Sequence, residues 1–132
     1  MNVIEWDDAF SVGVARLDAD HRLLMEMINQ LCEAWQAGKD GLVLAKLFEA
    51  LQVYADVHFT REEAVLEALG YDGLEAQRRA HAGLRAAVLA FRDRHLNAAQ
   101  PEALTSETAQ FLRAWLLDHI LGEDRKYKSL FS

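Results

Sequence analysis

Four separate stretches of this chain repeat apolar residues at steps of three and four, and each carries one histidine on its apolar stripe. The first runs through His21, Leu24, Ile28, Leu31 and Trp35, and the second through Leu47, Leu51, Tyr54, His58, Glu62, Val65 and Leu69. The third holds Leu74, Gln77, His81, Leu84, Val88 and Phe91, and the fourth Phe111 or Leu112, Trp115 and His119. That spacing gathers residues on one face of a helix. It predicts helices over about 19–37, 42–69, 74–94 and 105–121. Four amphipathic helices with short connections imply an all-α fold, an up-down-up-down antiparallel four-helix bundle, with residues 1–132 forming a single domain.

Punctuation residues set the expected boundaries. Asp18 or Asp20 is a good N-cap for the first helix, and Gly38-Lys39-Asp40-Gly41 ends it. Gly70-Tyr71-Asp72-Gly73 is a turn, with Gly70 as the C-cap of the second helix. The longest predicted loop, His95 to Leu104, contains the only proline, Pro101, and Thr105 or Ser106 caps the fourth helix. Residues 1 to about 18 lack a helical period; Phe10, Val12 and Val14 alternate around Gly13, which predicts an extended arm anchored by Trp6 and Phe10. Gly122 loosens the end of the last helix, and a short tail closes on Tyr127, Leu130 and Phe131.

Charge and composition remove several classes of function. Fourteen basic against 21 acidic residues give a net charge of −7, which repels nucleic acid and anionic membranes. Arg125, Lys126 and Lys128 follow Glu123 and Asp124 and read as a solvated tail, and His95 as solvent-facing. The acidic start, Met1 to Asp8, is unlike a secretory signal, and no run is long and apolar enough to span a membrane. The single Cys32 cannot pair internally and reads as a small buried hydrophobe, consistent with a reducing, cytoplasmic location.

A lone histidine on an apolar stripe is usually a hydrogen-bonded core residue. Four of the five histidines on four separate stripes, one of them a turn away from Glu62, form a different pattern. Bundle cores build metal sites from inward carboxylates and imidazoles on facing helices. The donors are His21, His58, Glu62, His81 and His119, with either Glu123 or Asp124, since both lie near one turn beyond His119. Six donors exceed what one tetrahedral zinc takes, and suit either one crowded octahedral ion or two ions sharing carboxylates. The imidazole and carboxylate mixture favours iron, manganese or zinc over calcium or magnesium.

These residues also carry a resemblance to the hemerythrin family, in particular its stand-alone bacterial form. Trp6, Phe10, Val12-Gly13-Val14, Asp18 and His21 are similar to the family's N-terminal signature. His58-Phe59-Thr60-Arg61-Glu62-Glu63 resembles its HFxxEE element, and Trp115-Leu116-Leu117-Asp118-His119-Ile120 with Asp124 its closing element. The resemblance implies a non-haem centre of two Fe ions that binds O2, with Glu62 and Asp124 bridging. It implies that His21 and His58 hold the ion with the open position, and His81 and His119 the other. Leu24, Trp115 and Ile120 would line a dry O2 pocket.

The departure is Gln77, which stands where the family pattern has the first histidine of a pair ending in His81. It can ligate weakly through its amide oxygen, hold a water that fills the position, or leave the site incompletely loaded. Three functions follow from these readings. The first is an O2 carrier, store or sensor rather than an enzyme. The second is a redox-active di-iron protein with an opened second ion, open to peroxide or NO and to weak oxidase or peroxidase-like turnover. The third is a metal-poor bundle serving as an interaction module for a protein partner.

Overall fold

In the computed structural model, residues 4–38, 41–97, 101–122 and 124–131 are described. Their helices are α1 (Ala15–Gln36), α2 (Gly41–Ala68), α3 (Leu74–Asn97) and α4 (Pro101–Leu121), with 3-10 turns at Asp8–Phe10 and Asp124–Phe131. No strand occurs among the described residues. Helix α1 packs on α2 and α4, α2 on α3, and α3 on α4, the closed ring of an antiparallel four-helix bundle. Short connections force this order, because a helix joined by a few residues must turn back against its predecessor.

The predicted stripes supply the core. Leu24, Ile28 and Leu31 of α1, Leu51 of α2, Leu84 and Val88 of α3, and Leu112 of α4 are buried together with Phe48, Phe59, Leu116 and Ile120. Cys32 is buried beside them, as its spacing predicts. Leu69 departs from its stripe and is 49% exposed, because α2 stops at Ala68 and Gly70, at φ 66°, turns the chain away. Phe91, His95 and Phe131 have side-chain placements that lie outside the described residues, as do Lys39, Asp40 and Glu123 altogether.

Three expected boundaries move. Helix α1 starts at Ala15, one turn earlier than the capping pattern suggested, after Val14. Asp18 therefore lies inside its first turn and reaches back to accept from the Ser11 hydroxyl at 2.7 Å and the Val12 N–H at 2.9 Å. Asp20 does not cap anything and is buried. The expected loop from His95 to Leu104 is mostly helical: α3 continues to Asn97 and α4 begins at Pro101. Proline is well suited to that first position, where its fixed φ is already helical and its missing N–H costs no bond. Thr105 and Ser106 sit inside α4 and do not cap it.

The arm lies along α1, but it is not uniformly extended, and Asp7 caps its 3-10 turn by accepting from the Ala9 N–H at 2.7 Å. The Asn29 amide grips Ile4 twice, accepting from its N–H and donating to its C=O, both at 2.8 Å. Trp6 and Phe10 meet edge to face with centroids 5.8 Å apart, under the Arg22 guanidinium 4.4 Å from the indole. Both anchors are half-buried; Ile4 and Val12 are the fully buried ones. The C-terminal segment is also more than a solvated tail. Asp124 and Tyr127 are completely buried within it, while Lys126 and Leu130 are exposed.

Candidate metal centre

His21 from α1, His58 and Glu62 from α2, His81 from α3, His119 from α4 and Asp124 just beyond it converge in the bundle interior. Five of the six are at most 1% exposed and His119 is 6% exposed. The four-residue step stacks His58 on Glu62 along α2, with Nε2 and Oε2 3.6 Å apart. Among the described residues two triplets bring potential ligand atoms within 4.8 Å of one another: His21, His58 and Glu62, and Glu62, His81 and His119.

Glu62 belongs to both because its oxygens face opposite ways. Oε2 lies 3.7 Å from His21 Nε2 and 3.6 Å from His58 Nε2, whereas Oε1 lies 2.9 Å from His81 Nε2 and 3.9 Å from His119 Nε2. Asp124 divides itself in the same way, with Oδ2 3.2 Å from His21 Nε2 and Oδ1 3.0 Å from His119 Nε2. Two carboxylates thus span two pairs of imidazoles.

The hydrogen bonds around the rim fix where the ring protons are. His58 Nδ1 lies 2.9 Å from Asp20 Oδ2, and His81 Nδ1 lies 2.7 Å from Glu63 Oε2. A carboxylate oxygen only accepts, so each Nδ1 donates to it and each ring turns its Nε2 inward. Those Nε2 atoms face Glu62 and, for His81, also His119 Nε2 at 3.3 Å. Such an arrangement is repulsive unless a proton or a cation lies between. Among the described residues, His21 Nε2, Glu62 Oε1, Gln77 Oε1 and Asp124 Oδ2 are also buried without a hydrogen bond. Inward ring nitrogens, orphaned oxygens and outer carboxylates on the histidines are the donor set and support that first-row transition ions require, and the residues fit such a group.

Electrostatics of the metal-free cluster agree. Burial pulls the His21 and His119 pKa values down, but contacts with Asp124 and Glu62 outweigh it and raise both to about 9. Burial pushes Glu62 up, yet His119, His21 and His81 hold it well below the usual carboxylate range. Asp124, opposed by burial and by the Glu62 charge, is likewise held low by His119 and His21. Two protonated imidazoles then balance two buried carboxylates, which would otherwise be prohibitive.

Gln77 is completely buried one turn before His81. Its Nε2 donates to Asp124 Oδ1 at 3.0 Å, and its Oε1 has no partner among the described residues. Tyr127, read from sequence only as part of the closing tail, donates its O–H to Glu62 Oε2 at 2.9 Å. Burial and then the Glu62 and Asp124 charges push its pKa up, so it remains a donor. Asp20, Tyr54 and Arg61 were also missed as members of the site. Asp20 accepts from His58, from Tyr54 O–H at 2.9 Å and from Arg61, and these bonds overcome burial to lower its pKa to about 2.

The expected pocket residues divide. Leu24 and Trp115 line an apolar cavity of about 30 Å³ together with Leu51, Phe59, Leu84 and Leu116. Ile120 is fully buried in the same core cluster. Trp115 stacks on His119 at 4.6 Å and Phe59 on His81 at 4.1 Å, so aromatic faces lock the two rings.

Comparisons with known proteins fit this geometry. The family model described as the hemerythrin HHE cation binding domain matches residues 12–131. A bacteriohemerythrin from Pseudomonas aeruginosa is 32% identical over 122 residues, 92% of this chain and 77% of that protein. A bacteriohemerythrin from Clostridium acetobutylicum is 29% identical over 92% of this chain and 96% of its own. A myohemerythrin from Theromyzon tessulatum is 26% identical over 94% and 90%. A wild-type hemerythrin crystal structure matches with a TM-score of 0.86 at 26% identity, covering 99% of each chain.

Proposed function

From the premise that this chain belongs to the hemerythrin family, we propose that it binds O2 at a non-haem centre of two iron ions. The observation that carries the reading is that Glu62 and Asp124 each divide their two oxygens between the His21 side and the His119 side. His21 and His58 would hold one ion, His81 and His119 the other, and Glu62 and Asp124 would serve both. Bound iron would supply reversible electron exchange with O2. The chain's own part is to arrange six donors in advance, to keep Glu62 oriented through the Tyr127 hydroxyl, and to surround the rings with Phe59, Trp115 and Leu24, which exclude water. Residues 1–132 serve as one domain for this purpose, and the protein acts as a carrier, store or sensor rather than as an enzyme. No helix among the described residues is long and apolar enough to cross a membrane.

The test is anaerobic loading with Fe(II) followed by O2. A visible charge-transfer band that appears with O2 and disappears on its removal is the expected result, with about two irons per chain. An iron-loaded chain without an O2-dependent band overturns O2 binding, and a chain that takes up no iron favours an interaction module. One observation favours a second reading. Gln77 directs an N–H at Asp124, which supports an opened second ion and a redox-active protein reacting with peroxide or NO. The lifetime of the oxygenated form separates the two readings.

A further inference from the structure

Asp20 lies outside the donor set, yet it is among the most buried charges in the molecule at 1% exposed. Among the described residues, its three side-chain partners all come from α2. Oδ2 faces His58 Nδ1 at 2.9 Å; Oδ1 accepts from Tyr54 O–H at 2.9 Å and from the Arg61 guanidinium. Tyr54, His58 and Arg61 follow one another at steps of four and three, so one face of α2 closes around one carboxylate of α1. The Arg61 charge makes burial of Asp20 tolerable, and the Tyr54 hydroxyl and Arg61 together hold one oxygen so that the other is aimed at His58.

This support is specific to His58. His21, next to Asp20 in the chain, has no hydrogen bond at Nδ1 among the described residues. His81 has an outer carboxylate too, but Glu63 is partly exposed at 18% and lies near Arg78 at 3.6 Å and Arg85 at 3.9 Å. Its charge is shared and wetted, whereas that of Asp20 is buried and committed.

We propose that Asp20, clamped by Arg61 and Tyr54, is a positioning residue that fixes His58 in the Nδ1–H tautomer and strengthens its Nε2 as a metal donor. This rests on the metal-centre reading and concerns the His21 and His58 side of it. Outer carboxylates of this kind orient the ligating ring and raise its basicity, and removing one typically costs about 10–100-fold in metal affinity.

Two readouts test the assignment. Nitrogen-15 NMR of the imidazoles in the metal-free protein should show His58 as the Nδ1–H form in the wild type and as a mixture in Asp20→Asn. Titration with Co(II), which reports the site without O2 chemistry, should give Asp20→Asn an affinity about 10–100-fold weaker. Tyr54→Phe, which leaves Asp20 and Arg61 in place, should move both readouts less and in the same direction, and it serves if Asp20→Asn does not fold. A folded Asp20→Asn protein, or Tyr54→Phe in its stead, with unchanged tautomer and unchanged Co(II) affinity overturns the proposal and leaves the O2 reading intact. A wild type that binds no Co(II) overturns both.

Discussion

In the proposed centre, Gln77 would alter the donor set without disturbing the fold. It is as buried as the histidines around it, and it answers a carboxylate oxygen of Asp124 with an N–H. A neutral amide is a weaker donor to iron than imidazole. We therefore predict that Gln77→His takes up its second iron roughly tenfold more tightly and lengthens the life of the oxygenated form, read by iron titration and by decay of the visible band. Equal decay in the two proteins would remove the open-ion reading. The donor types were legible in sequence because histidine and glutamate on apolar stripes conflict with packing. Their supports were not. Asp20 and His58 are 38 residues apart, and Tyr127 and Glu62 are 65 apart, and no local period announces such pairings. Asp20 also matched a cap pattern, which drew the reading to the wrong role.

At the scale of elements, four helices present five donors from regular turns, but the sixth comes from outside them. Asp124 follows Leu121 and Gly122, in a 3-10 segment that begins where α4 stops. Gly122 donates to the Asp118 carbonyl at 2.8 Å, and a Cβ added there would meet that same oxygen at 2.8 Å. Gly122→Ala must therefore shift the backbone just ahead of Asp124. We expect it to weaken metal uptake about tenfold while far-ultraviolet circular dichroism stays helical, since the core stripes are untouched. Unchanged uptake would mean that the segment adapts freely. Helix periods were readable from sequence, and so was the bundle. The start of α4 was not, because Pro101 reads as a breaker in isolation and as a helix opener in place.

For the whole molecule, the cluster links protons, metal and folding. His21 and His119 rise from an ordinary value near 6.5 to about 9 in the metal-free fold. A raised folded pKa gives stability that is complete below the unfolded value and lost as pH climbs through the folded one. Glu62 and Asp124 are lowered, so their share is complete above the ordinary carboxylate range and lost in acid. The metal-free protein should thus be most resistant to urea near pH 5–6.5 and lose resistance towards pH 9. A urea midpoint that rises steadily from pH 6 to 9 would contradict this assignment. Metal must displace the same protons, so uptake should release acid and tighten as pH rises. The two shared carboxylates also differ in footing: Glu62 sits within a 28-residue helix, Asp124 in an eight-residue segment. Opening that segment takes Asp124 and the Tyr127 hydroxyl away together while Glu62 stays in place. The centre therefore rests on four helices and one short segment, and a bound ion held by both Glu62 and Asp124 would tie that segment to the bundle.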